Sequence, residues 1–176
     1  VLPVVFDKGQ RKGEVFAPIH WSGQQGSSSA VANLFTSAHD PLSGQPELKH
    51  AAVALTKVRF DSYAEFYCQT PLTPMVLSQT ADYWRQIKIS SGYLYQFASN
   101  KTVSELRHAL ENNVSSPHSV IGYSSEKLAS CVVLEKEKLS AVVFVADSPI
   151  QSNPDWVESL KQAENLSAQQ INALLS

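Results

Sequence analysis

The sequence is poor in the residues that most often announce chemistry. Only two cysteines occur in 176 residues, Cys68 and Cys131, far apart and without metal-ligand spacing around either. That argues against a metal or disulfide framework and predicts two reduced thiols in a cytoplasmic protein. No apolar run approaches the roughly 20 residues of a transmembrane helix. The opening stretch "VLPVVFDKGQRKGEVF" has neither the charged start nor the long apolar run of a secretory signal. Basic and acidic residues nearly balance, 14 against 16, and form no basic stripe. Neither nucleic acid nor a membrane is therefore expected as a partner. G-x-S-x-G, P-loop, G-x-G-x-x-G, H-E-x-x-H and C-x-x-C are all missing. The five histidines, His20, His39, His50, His108 and His118, have no mutual spacing that suggests a metal site.

What is present is the material of a folded α+β protein. Hydrophobic residues make up 43% and aromatic residues 9% of the chain, enough for a real core. The length suits one compact domain or two small ones, and the character of the sequence changes near residue 58. Before it, "VVFD", "GEVFAPIHW" and "HAAVALTKV" read as strands, with "KGQRKG" as a turn between the first two. "SSSAVANLFTSA" reads as a short helix with Ser28 or Ser29 as N-cap and Ala30, Val31 and Leu34 as its apolar spacing. "DPLSGQPELK" is a loop stiffened by Pro41 and Pro46, in which Asp40 has the role of a turn-former.

After residue 58, the aromatic run "SYAEFYCQTPLTP" is broken by Pro71 and Pro74. "SQTADYWRQIKISSG" allows a helix with Ala81, Trp84 and Ile87 on one side, ended by Gly92. "TVSELRHALENN" is a stronger helix: Thr102 and Glu105 have capping-box spacing, and Val103, Leu106 and Leu110 line one face. On that helix His108 is expected to be solvated. "LASCVVLEKEKLSAVVFVAD" predicts a hairpin of two central strands around a charged, solvated turn. Two terminal helices follow. Asn153 caps the first, with Pro154 at its first position and Trp156, Leu160 and Ala163 inward; Ser167 and Gln170 make a second capping box before Ile171, Leu174 and Leu175. Taken residue by residue, this is a non-catalytic α+β protein.

Two segments add a resemblance. "GEVFAPIHWSGQ" and "HDPLSGQPELKHAAV" are similar to the closing part of the C-terminal domain of molybdopterin-dependent oxidoreductases, nearest to the large catalytic subunits of bacterial assimilatory nitrate reductases. The matching positions are Gly13, Val15, Phe16, Pro18, His20 and Trp21, then Asp40, Pro41, Ser43, Gly44, Gln45, Pro46, Lys49 and His50. "AEFYCQTPL", "DYWRQIKISSGYLYQFAS", "KLSAVVFVADSP" and "WVESLKQAENLSAQQINALLS" resemble the distal part of those subunits in the same order.

The resemblance implies that residues 1–58 are the end of a double-psi β-barrel, the molybdopterin dinucleotide-binding domain. Residues 59–176 follow as a family-specific α+β module with a hairpin and C-terminal helices. In such enzymes the domain closes over bis(molybdopterin guanine dinucleotide) molybdenum, which reduces nitrate to nitrite with electrons from a [4Fe–4S] cluster in the N-terminal part. The chain lacks an initiator Met and opens within a strand-like run, so a fragment of a longer subunit is expected, inactive alone and with no cofactor bound. Lys49 matches a cofactor-contacting lysine of the family. Asn33 stands one residue after the usual position of a pterin-bonding Asn, which here is Ala32. His20 and Trp21 follow a strand that runs past the active-site funnel, where they either line the cofactor wall or brace it. No residue is assigned to catalysis or to a metal. The expected partners are the remainder of the same subunit and an electron-donor protein. Two alternatives keep much of this: residues 59–176 as a module that docks a redox partner, or the same domain in another molybdopterin enzyme such as a formate dehydrogenase.

Overall fold

The computed structural model describes residues 1–2, 4–18, 26–27, 31–35, 38–45, 51–114, 119–136 and 138–150, with Asn153, Asp155, Glu158, Ser167, Gln169 and Gln170 beyond them. The chain separates into two compact units, Val1–Val58 and Arg59–Ser176.

The second unit is built on a six-stranded sheet. Its strands are β1 (Ser62–Cys68), β2 (Tyr83–Ile89), β3 (Gly92–Ser99), β4 (Ser119–Ser124), β5 (Leu128–Glu135) and β6 (Lys138–Ala146). Their order across the sheet is β2-β3-β1-β6-β5-β4, with every neighbouring pair antiparallel. The sheet is open and does not close into a barrel. Helix α1 (Pro74–Thr80) joins β1 to β2, and α2 (Val103–Glu111) joins β3 to β4.

Alternation along the strands sends alternate residues to opposite faces. On the face that α2 covers, Ala64, Phe66 and Cys68 of β1 meet Tyr95 and Phe97 of β3, Ala141, Val143 and Val145 of β6, and Ala129, Cys131 and Val133 of β5. Helix α2 presents Val103, Leu106 and Leu110 to this layer. Across the other face runs a row through directly paired positions: Ile87, Leu94, Tyr67, Val142, Val132 and Ile121. Tyr67, Leu94, Val132 and Val142 in that row are buried.

The expected hairpin forms as β5 and β6, both interior to the sheet and closed by Lys136 at a φ of 50°. Its register shifts by one residue between the pairs Val133↔Ala141 and Leu134↔Leu139. This is a bulge that leaves Ser140 without an opposite residue. The capping box on α2 is also present. Thr102 Oγ1 accepts from the Glu105 N–H at 3.3 Å, and Glu105 Oε2 accepts from the Thr102 N–H at 2.8 Å.

Several expectations need correction. The stretch expected as a helix over 78–92 is mostly strand. Helix α1, capped by Thr73 with Pro74 in its first turn, stops at Thr80, and Ala81 is already extended. From Tyr83 the pattern has period two: Tyr83, Arg85, Ile87 and Ile89 share one face and Trp84, Gln86 and Lys88 the other. Ala81, Trp84 and Ile87 fit a helix by spacing, yet the bulky and β-branched residues pack better on a pleated surface. Gly92 then serves as the first residue of β3, not as a helix end. A Cβ there would lie 2.4 Å from the Cys68 carbonyl oxygen, so only glycine fits.

In the first unit, residues 4–7, 13–18 and 51–58 form no strand. A strand is held by a neighbour's hydrogen bonds, and the described residues of this unit supply only isolated bridge positions, Gly26 and His39. Within the expected helix, the described residues Val31–Leu34 form a 3-10 turn. The turn between the first two runs is real, with bends at residues 8–10 and 12–13 and Gly13 at a φ of 86°. Ser28 and Ser29 lie outside the described residues, as do Pro154, Trp156, Leu160, Ala163, Ile171, Leu174 and Leu175. At the two terminal caps, Asp155 N–H donates to Asn153 Oδ1 at 3.0 Å, and Ser167 and Gln170 exchange hydrogen bonds at 2.8 and 3.3 Å.

Candidate functional site

The loop that carries the resemblance closes on itself around Asp40. Its Oδ1 accepts from the Ser43 N–H at 2.7 Å, from the Leu42 N–H at 3.0 Å and from the Ser43 hydroxyl at 3.0 Å. The main chain adds two bonds, Gly44 N–H to Asp40 O and Asp40 N–H to Gln45 O, each 2.9 Å. Gly44 takes a φ of 69°, a left-handed conformation that glycine adopts without strain. The Ser43 N–H, the Ser43 hydroxyl and the Leu42 N–H together hold the Asp40 carboxyl below the usual carboxylate range. One oxygen thus serves three donors of its own turn, the arrangement expected of an Asx-type turn-former.

Of the four residues nominated for cofactor contact, only Asn33 lies within the described residues. It sits on the 3-10 turn beside Val31, and it is exposed. Val31 is the only buried apolar side chain among the described residues of this unit, so the turn is anchored by one residue and offers Asn33 outward. His20, Trp21 and Lys49 lie outside the described residues, and with them Pro46, His50 and His118.

The second unit holds polar groups that sequence reasoning did not single out. On the sheet face opposite α2, Gln96 donates through Nε2 to Glu65 Oε1, and Gln96 Oε1 accepts from Arg85 Nε. These residues are direct partners across β1, β3 and β2. Next to Arg85 on the same strand face, the buried Tyr83 hydroxyl has no hydrogen-bond partner. Each is a polar residue within a strand otherwise rich in aromatic and aliphatic side chains. That signal becomes readable only once the three segments are known to be strands.

A second cluster lies at the end of α2. Arg107 Nε donates to Glu111 Oε1 at 2.6 Å, and His108 Nδ1 lies 3.5 Å from Glu111 Oε2. His108 is largely exposed, as expected. Cys131 packs nearby, and burial pushes its thiol up to about 12, with the Glu111 carboxylate adding to the effect. A thiol so disfavoured as thiolate is a core residue and not a nucleophile. Cys68 is likewise buried and in no disulfide, and its thiol donates to the Thr70 carbonyl at 3.0 Å.

Among the described residues no three metal-ligating side chains converge, and no helix is long and apolar enough to cross a membrane. No protein-family model matches the chain, and no solved structure does. One curated protein does match. Over 55 residues the chain is 46% identical to a nitrate reductase from Klebsiella oxytoca, a stretch covering 31% of this chain and 6% of that protein. The chain therefore contains a segment related to a nitrate reductase and spans only a small part of that relative's length.

Proposed function

We propose that this chain is the C-terminal part of the catalytic subunit of a cytoplasmic, molybdenum-dependent nitrate reductase, and that its first unit helps to hold the cofactor. The observation that carries this reading is the 46% identity over 55 residues to the Klebsiella oxytoca nitrate reductase. The exposure of the first unit supports it. Val5, Phe6, Phe16 and Leu42 are almost wholly in solvent, while Val31 is the one buried apolar side chain among the unit's described residues. Described residues with so little core among them fit a portion of a larger domain. In this reading residues 1–58 complete a double-psi β-barrel, whose other strands pair with the runs "VVFD", "GEVFAPIHW" and "AAVALTKV", whose described residues form no strand here.

Bis(molybdopterin guanine dinucleotide) carries phosphates and polar pterin edges, which cationic and amide side chains suit. Lys49 is assigned to the phosphates and Asn33 to the pterin, an assignment with which the exposure of Asn33 agrees. His20 and Trp21 line or brace the same wall. Asp40 is assigned no contact, because its turn already engages it. When bound, the molybdenum supplies the electron transfer that reduces nitrate to nitrite. Its ligands and the [4Fe–4S] cluster belong to other parts of the subunit, so this piece binds and orients without reacting alone.

The test uses the subunit in which this chain occurs. Molybdenum and releasable guanine nucleotide are measured in the wild type and in the Lys49→Ala and Asn33→Ala variants. A reduced content of both in Lys49→Ala is expected, with Asn33→Ala weaker in effect. Full cofactor content in Lys49→Ala overturns its assigned contact, and a wild-type subunit free of molybdenum overturns the reading as a whole.

A further inference from the structure

We propose that β4 is a pairing edge, on which a second copy of this chain lays its own β4 antiparallel, joining two sheets into one. Four observations carry this. First, β4 ends the sheet, and all six of its residues are exposed, Val120, Ile121 and Tyr123 among them. Second, the strand "SVIGYS" contains no charge and no proline, the devices that normally protect an edge, and its six residues pair with β5 without a shift in register. Third, the apolar row from Ile87 through Leu94, Tyr67, Val142 and Val132 runs straight out to Ile121 and stops there. A further strand carrying an apolar residue at that level would continue the row.

The fourth observation selects the occupant. A two-fold axis normal to the sheet keeps each face on its own side, so opposed residues must share a face. Centred on Gly122, that symmetry sets Ile121 opposite Tyr123 of the partner subunit and Val120 opposite Ser124 of the partner subunit. The first of these is an aromatic–β-branched pair, a favourable cross-strand combination. Centred instead on Ile121, Tyr123 would meet only a serine. Gly122 itself is fixed by β5, since a Cβ there would lie 2.6 Å from the Ser130 carbonyl oxygen.

The opposite edge cannot extend the assembly in the same way. Strand β2 carries Arg85 and Lys88, one on each face, and charged side chains of this kind guard an edge against pairing. The six-stranded sheet thus has one compatible edge, and pairing through it closes at two. This inference stands apart from the nitrate reductase reading.

The test is the mass of the full 176-residue chain by sedimentation, from micromolar to near-millimolar concentration. A monomer–dimer equilibrium is expected, with β4 amides gaining hydrogen-exchange protection as dimer forms. Ile121→Lys and, separately, Tyr123→Lys should weaken dimerisation by about tenfold or more while leaving the circular dichroism spectrum unchanged. Three results would overturn the proposal. These are a monomer at every concentration, an open-ended series of larger species, or a dimer whose strength and β4 protection neither folded variant alters.

Discussion

Gln96 donates its side-chain N–H to the carboxylate of Glu65, its direct partner across the β1–β3 ladder, although Glu65 is only 3% exposed. The same Gln96 amide accepts from Arg85 on the next strand, so one neutral side chain bridges an acid and a base. Replacing Gln96 with Leu keeps the approximate volume and removes both bonds. A buried charged group that loses a hydrogen-bond partner costs about 1–3 kcal/mol. Gln96→Leu is therefore expected to lower unfolding stability by that amount in urea titrations. Wild-type stability in this variant would show that the bridge contributes nothing.

Tyr83 gives the opposite sign. Its hydroxyl is buried without a partner, so the folded state carries a desolvation cost with no bond to offset it. Tyr83→Phe retains the ring and removes that cost. The urea midpoint should rise, by an amount on the order of 1 kcal/mol. A fall in stability would mean that the hydroxyl has a partner in solution.

Acid should act through two carboxyls of the second unit. Asp82 accepts from the Asn100 N–H and the Ser99 hydroxyl, and Glu105 from the Thr102 N–H and hydroxyl; these bonds hold both carboxyls below their ordinary values. A depressed carboxyl stabilises the fold fully above its unfolded value, roughly 4, and the contribution disappears as pH falls through the lower folded value. Asp82→Asn and Glu105→Gln should each melt below the wild type at pH 7, and the gap should narrow as pH drops below about 4. A gap of equal size at pH 3 and pH 7 would exclude this linkage.

Both thiols should resist labelling. Cys68 and Cys131 are buried and in no disulfide, and Cys131 has its thiol pushed up to about 12. With native protein at pH 8, a thiol-specific aromatic disulfide should react with neither group on the timescale of seconds to minutes. In denaturant both should react at once. Rapid native labelling of Cys131 would indicate that β5 opens locally.

Much of the second unit was legible from local rules. The capping box at Thr102 and the two apolar β-branched runs around Glu135–Lys138 each carry their structure within a dozen residues. β2 was not legible, because its apolar residues satisfy helical and strand spacing together, and only pairing with β3 decides between them. The aromatic strands β1 and β3 were missed for a related reason. Their residues face buried layers on both sides, which removes the polar alternation that marks a half-exposed strand. In the first unit local strand propensity is present in "VVFD" and "AAVALTKV", but propensity without a neighbouring strand forms no ladder. The Asp40 turn needed no distant partner, and its chemistry was readable from "DPLSG" alone.

The strand order has a consequence for how the chain acquires its sheet. β1 is the first strand of the six-stranded sheet to be made, yet it lies inside that sheet, where Tyr63 pairs with both Ala98 and Ala146. During synthesis the hairpin β2–β3 can form early and receive β1, but the other side of β1 stays open until β6 has emerged. Joining β1 to β6 closes a long stretch of chain, a slow and entropically costly step. Folding is therefore expected to be limited by that junction, with β4, β5 and β6 assembling locally before they dock as a group onto β1.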